Sequence, residues 1–206
     1  MAARGVDVLI GNTYVHLMGK VVVTNWVTLD GVMQAPGRPD EDTRDGFVDG
    51  GWATPFADPV VGAKMGERMS ADFAWLFGRR TYEDLLASWN AQGGPFQDAL
   101  NGTRKYVASA DAGTELRWPN SELLHGDVPA EVATLKRSDA NLVIMGSGVL
   151  IACLAAADLI DEYVLMIAPI VVGRGRRLFD DGARAPLRLL DCTSTSAGVV
   201  IATYST

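Results

Sequence analysis

The feature that most narrows the fold is an alternation along the chain. Short β-branched runs are followed by stretches whose apolar residues recur at helical spacing. Lys20–Thr28 (KVVVTNWVT) reads as a strand that stops at the Asp30–Gly31 turn signal. A long Gly-, Pro- and Asp-rich loop follows to about Pro55, of a length that is usually functional or mobile. Pro59–Ala71 predicts a helix, with Asp58 placed to cap it and Pro59 at its first position. Ala74–Phe77 predicts a buried strand ended by Gly78, and Thr81–Trp89 a helix with Glu83 and Asp84 in its first turn. Gly93–Pro95 closes that unit. Arg104–Ser109 and Ser121–Leu124 read as strands, Val128–Lys136 as a helix behind Asp127, and Asn141–Met145 as a buried strand. Val149–Asp158 is helical, Glu162–Ile167 a strand, and Leu187–Thr195 with Val199–Tyr204 a terminal hairpin.

Such alternation implies a largely parallel sheet covered by helices on both faces, with the hairpin adding antiparallel strands at one edge. Ligands of such sheets lie beyond the carboxyl ends of the strands. Four places qualify: the Asp30 loop, Gly78–Thr81, Ser109–Asp111 and Gly146–Gly148. No repeat or composition break divides residues 19–206, which are expected to form one domain. Residues 1–18 are expected to be an unstructured extension, with an extra edge strand over Val6–Ile10 as the alternative.

A chain of 206 residues buries enough surface to fold without disulfides or metal. Its two cysteines, Cys153 and Cys192, have no partners at metal-ligand spacing and read as packed thiols in a reducing, cytoplasmic setting. The net charge of −7 argues against nucleic-acid binding, yet leaves room for a small anionic ligand at a local positive site. No apolar run approaches the roughly 18–20 residues of a membrane span.

Gly146–Ser147–Gly148, between a strand and a helix, can bring backbone close to a diphosphate at a helix N-terminus; the alternative is a tight turn. It is not a G-x-G-x-x-G fingerprint, because Ile151 stands at the third position. Gly78–Arg79–Arg80–Thr81 offers two guanidinium groups and a hydroxyl to a phosphate monoester such as the 2′-phosphate of NADPH, or else presents solvated surface arginines. Asp30 is either a turn residue or a carboxylate facing substrate. Trp52 either stacks on a planar ring or packs on the core. The acidic cluster Asp40, Glu41, Asp42, Asp45 and Asp49 lacks metal-loop spacing, so no metal is expected. Gly173–Arg174–Gly175–Arg176–Arg177 reads as a solvated turn. His16 and His125 stand apart from any triad.

The succession Thr28–Leu29–Asp30–Gly31, Phe77–Gly78–Arg79–Arg80–Thr81–Tyr82–Glu83 and Lys105–Tyr106–Val107–Ala108–Ser109 resembles the dihydrofolate reductase superfamily. Within it, the chain most resembles the C-terminal reductase domain of bifunctional riboflavin-biosynthesis proteins and its stand-alone relatives. Gly146–Ser147–Gly148, Leu159–Ile160–Asp161–Glu162, Pro169–Ile170–Val171–Val172–Gly173–Arg174–Gly175 and Leu178–Phe179 resemble that branch's C-terminal signature. The resemblance implies a three-layer α/β fold with an eight-to-nine-stranded sheet, and NADPH-dependent reduction of a small heterocycle, at family level 5-amino-6-(5-phosphoribosylamino)uracil. Another pterin or carbonyl substrate, or NADPH binding without turnover, are the alternatives. It puts the nicotinamide at Val27 and Thr28, the adenosine 2′-phosphate at Gly78, Arg79, Arg80 and Thr81, the adenine at Ser109 and Ala110, and the diphosphate at Gly146, Ser147, Gly148, Val149 and Leu150. Asp30, Trp52 and Met145 are the substrate-side candidates; riboflavin-pathway reductases place a Glu where Met145 stands. The proton donor is left unassigned. Val199–Tyr204 offers an apolar edge through which a homodimer is expected to form.

Overall fold

The computed structural model describes residues 7–10, 13–16, 18–69, 72–138, 140–179 and 183–206. Strands β1 (Asp7–Ile10) and β2 (Thr13–His16) pair antiparallel as a ribbon of their own. Val6 and the rest of residues 1–6, 11–12 and 17 lie outside the described residues. The main sheet is built from β3 (Val21–Thr28), β4 (Ala74–Gly78), β5 (Lys105–Ala108), β6 (Ser121–Leu124), β7 (Leu142–Ile144), β8 (Glu162–Ala168), β9 (Arg188–Ser194) and β10 (Val200–Ser205). Its order is β6-β5-β4-β7-β3-β8-β10-β9. All pairings up to β3–β8 are parallel, while β8–β10 and β10–β9 are antiparallel. This is the expected mostly parallel sheet with an antiparallel terminal hairpin.

The period-2 alternation of the strands explains the layers. Val21, Val23, Leu76, Leu142, Ile144, Tyr163 and Leu165 turn to one face, packed under α4 (Val128–Arg137) and α5 (Gly148–Ala156). The intervening residues Trp75, Phe77, Val107, Val143, Val164 and Met166 turn to the other, under α1 (Pro59–Met69), α2 (Arg79–Gln92) and α3 (Pro95–Gly102). The caps agree with the side-chain chemistry: Asp58 Oδ1 accepts from Val60 N at 2.8 Å, and Asp127 Oδ1 from Ala130 N at 3.1 Å. No described helix is long and apolar enough to cross a membrane.

Four expectations need correction. Helix α2 begins at Arg79, two residues early, so Glu83 and Asp84 fall beyond its first turn. Helix α3 was hidden behind Gly93 and Gly94, whose φ of +77° and +99° reverse the chain before Pro95 restarts it. The edge on the hairpin side of the sheet is β9, not Val199–Tyr204, because β10 is enclosed between β8 and β9. Cys153 and Cys192 are exposed rather than packed, Cys153 on the outer side of α5 and Cys192 on that edge strand.

Candidate active site

The order β5-β4-β7-β3 sets four strand ends side by side at the carboxyl edge of the sheet. Ser109 and Ala110 follow β5, Gly78–Thr81 ends β4 and opens α2, Gly146–Gly148 joins β7 to α5, and Val27 and Thr28 end β3.

The turn after β7 is held from two sides. From below, Asn25 on β3 accepts the Gly146 N–H on Oδ1 at 2.6 Å, and its Nδ2 donates to the Gly146 carbonyl at 3.4 Å. From the β4 side, Ser147 N donates to Thr81 Oγ1 at 3.0 Å, and Gly78 N donates to Ser147 Oγ at 2.9 Å. Gly146 sits at φ +63°, and a Cβ there would stand 2.9 Å from Thr81 Cγ2, so only glycine lets the two loops touch. Ser147, at φ 59°, is the N-cap of α5. The N–H groups of Gly148, Val149 and Leu150 open that helix without intrahelical partners, and Val149 is 74% exposed. Arg79 is tied to Glu83 at 2.9 Å, whereas Arg80 is exposed and makes no ion pair or hydrogen bond with the described residues. A free guanidinium thus stands one loop away from an open helix N-terminus, a pairing suited to a ligand with separated phosphates.

The other candidates are placed as follows. Val27 is buried among Met33, Leu150 and Ile151. The Thr28 hydroxyl donates to Asp30 Oδ1 at 2.6 Å and accepts from Val32 N at 2.9 Å. Ser109 Oγ accepts from Asp111 N at 3.1 Å and from Thr114 Oγ1 at 2.7 Å, while Ala110 is exposed. The Asp30 carboxylate also accepts from Val172 N at 3.2 Å and Gly173 N at 2.8 Å. The Thr28 hydroxyl above all, with those two amides, holds its pKa below the usual carboxylate range despite some desolvation. Trp52 is 5% exposed and spends its indole N–H on the Gln34 carbonyl at 2.7 Å, packed with Val32, Ala35 and Phe47. Met145 is half-buried and, on the α1 face of the sheet, lines a cavity of about 20 Å³.

The long loop is pinned to the Gly173–Arg177 segment. Asp49 pairs with Arg174 at 2.8 Å, Asp45 with Arg176 at 2.8 Å, and Asp42 with Arg44 inside the loop. Gln34 fastens both sides: its Oε1 accepts from Arg176 N at 2.9 Å, and its Nε2 donates to the carbonyls of Asp42 and Arg44. Asn25 and Gln34 were not singled out from sequence. For Asn25 the available signal was an amide inside a β-branched strand, which stays buried only if its polar atoms find partners; Gln34, in the loop, carried no such signal.

The RibD C-terminal domain family profile matches residues 19–201. No curated protein matches the sequence. Among solved structures, a protein of Shewanella sp. PV-4 assigned to riboflavin biosynthesis is similar at TM-score 0.62 and 21% identity, over 90% of this chain and 98% of that one. Dihydrofolate reductase of Enterococcus faecalis, complexed with NADP(H) and RAB-propyl, is similar at TM-score 0.62 and 14% identity, over 92% and 97% of the two chains. A diaminohydroxyphosphoribosylaminopyrimidine deaminase/5-amino-6-(5-phosphoribosylamino)uracil reductase of Thermotoga maritima is similar at TM-score 0.62 and 15% identity. That match covers 91% of this chain and 56% of the Thermotoga chain. At these identities the likeness is one of fold.

Proposed function

Because the chain belongs to the RibD C-terminal domain family, we propose that it is an NADPH-dependent reductase of a small planar substrate. The observation that carries this reading is the direct contact of the Gly78–Thr81 and Gly146–Gly148 loops, which sets unpaired Arg80 near the open N-terminus of α5. The residues fit the dinucleotide: α5 N–H groups for the diphosphate, Arg80 and Thr81 for the adenosine 2′-phosphate, Ser109 and Ala110 for the adenine, and the end of β3 for the nicotinamide. NADPH would supply a hydride there. The chain's own part is to bind, orient and keep dry: Asn25 fixes the height of the turn, and the pinned loop shields the cleft. Asp30 is a loop anchor, since its oxygens are taken by Thr28, Val172 and Gly173.

The test is titration with NADPH and, separately, NADH, followed by quenching of the five tryptophans. Micromolar NADPH binding with clear preference over NADH is expected. Equal affinity removes the 2′-phosphate assignment, and no binding of either removes the reductase reading. Binding without oxidation by any pyrimidine, pterin or carbonyl compound would make the chain a nucleotide-binding module.

A further inference from the structure

We infer that the cavity between α1 and the sheet takes an uncharged, largely apolar single ring bearing one hydrogen-bond acceptor, such as a cyclic ketone or enone. The assignment rests on the reductase reading for its place in a reaction, and on the cavity's own walls for its chemistry. Those walls include Met65, Val143, Met145, Val164 and Met166, and no carboxylate among the described residues lines the space. Its polar contributions are the Thr24 hydroxyl and Lys64, whose ammonium already lies 3.5 Å from Glu67 and 3.7 Å from Asp191.

Trp75 also lines the cavity, and it supplies the second observation. It is 0% exposed, and its Nε1 is the one buried side-chain polar atom without a hydrogen-bond partner among the described residues. An indole N–H can only donate, and a buried donor left unmatched is costly, so the site favours an occupant that brings an acceptor. A pyrimidine or pterin presents donors and acceptors around most of its rim. Against methionine and valine walls most of them would lose water without replacement. A ribose phosphate would need cations that this cavity does not offer beyond the already paired Lys64.

Size makes entry of a ring depend on repacking of the walls. As closed, about 20 Å³ accommodates roughly one water molecule. A ring enters by repacking Met65, Met145 and Met166, whose unbranched thioethers change rotamer at little cost. Met145 directly precedes Gly146, so a ring seated there abuts the turn that Asn25 and Thr81 hold.

The experiment uses the full chain saturated with NADP+, so that bound probes are not consumed. Ligand-observed NMR measures affinity for cyclohex-2-enone, for cyclohexene as the ring without an acceptor, and for uracil as the polar ring. Cyclohex-2-enone is expected to bind about fivefold more tightly than cyclohexene, the weight of one net hydrogen bond, and uracil not at all. In Trp75→Phe the enone–alkene difference is expected to vanish, whereas a merely structural change would weaken both rings alike. Met145→Glu, which leaves Trp75 in place, is expected to abolish binding of both apolar rings. Equal binding of enone and alkene by the unaltered protein, binding of uracil, or no binding of either apolar ring despite NADP+ saturation overturns the inference. If NADP+ does not bind while the enone still outcompetes the alkene, the reductase reading fails and the cavity chemistry stands.

Discussion

Asn25 and Gly146 lie 121 residues apart and share a two-way amide contact, with Gly146 N–H donating to Asn25 Oδ1 at 2.6 Å and Asn25 Nδ2 donating to the Gly146 carbonyl at 3.4 Å. A residue of the central strand thereby sets the position of the turn that opens α5. Asn25 is 3% exposed, so water does not readily replace either contact. Asn25→Leu is expected to lower the unfolding free energy by about 1–3 kcal/mol, the cost of stranding buried polar groups. It is also expected to weaken NADPH. A urea titration checks the first effect and fluorescence the second; an unshifted midpoint would mean that Gly146 finds another partner.

Arg80→Ala should weaken NADPH about tenfold or more and leave NADH nearly unchanged, since a charge-assisted bond to a phosphate is worth about 1.5–3 kcal/mol. Arg79→Ala should do less, because that guanidinium is already engaged by Glu83. Paired titrations of both variants separate the two arginines, and a larger loss for Arg79→Ala would reverse the assignment.

Gly175 joins the Gly173–Arg177 segment to the long loop at φ +114°, and a Cβ there would stand 2.7 Å from Phe47 Cε2 and 2.9 Å from Val32 Cγ1. Both neighbours belong to the loop's own core with Trp52. Gly175→Ala is expected to cost about 1–3 kcal/mol through backbone strain and overpacking. Amides of the long loop should then exchange hydrogen faster than those of β3. A variant melting with the parent would show that Phe47 can move aside.

Lys105 is fully buried, with its ammonium donating to the carbonyls of Leu100 at 2.5 Å and Thr103 at 2.7 Å. Burial pushes its pKa from 10.5 down to about 8. Between those values the unfolded chain holds a proton that the folded chain releases, so this group's contribution to stability rises with pH across that window. Below about pH 8 both states are charged and the contribution is flat. The neutral amine keeps two N–H donors for the two closest carbonyls. Urea unfolding at about pH 7 and about pH 9.5 should therefore show the parent gaining on Lys105→Met at the higher pH. A constant difference would place the lysine's pKa near its ordinary value.

Much of the fold was legible in the chain because it rests on short-range rules. Apolar runs with alternating faces marked β3, β4, β7 and β8, Asp127 and Asp58 marked helix starts, and glycines marked three of the four strand ends that form the candidate site. Helix α3 escaped because Gly93–Gly94 resembles a terminus, and local signals do not say whether the chain stops or merely turns. The start of α2 was misplaced because Thr81, a natural cap by type, spends its hydroxyl on Ser147 N.

By itself, the sequence determined most of the element types and the placing of the glycines and arginines of Gly78–Thr81 and Gly146–Gly148 at the carboxyl edge of the sheet. Only the tertiary structure decided that β4 and β7 are neighbours. It likewise decided that Thr81 meets Ser147 across 66 residues, that Asn25 meets Gly146, that Trp52 turns into its own loop, and that β9 rather than β10 is the edge. The physical reason is one of range. Helical and strand periodicity is set by neighbours a few residues away, whereas these partnerships depend on strand order and register, which only the burial of the whole sheet selects.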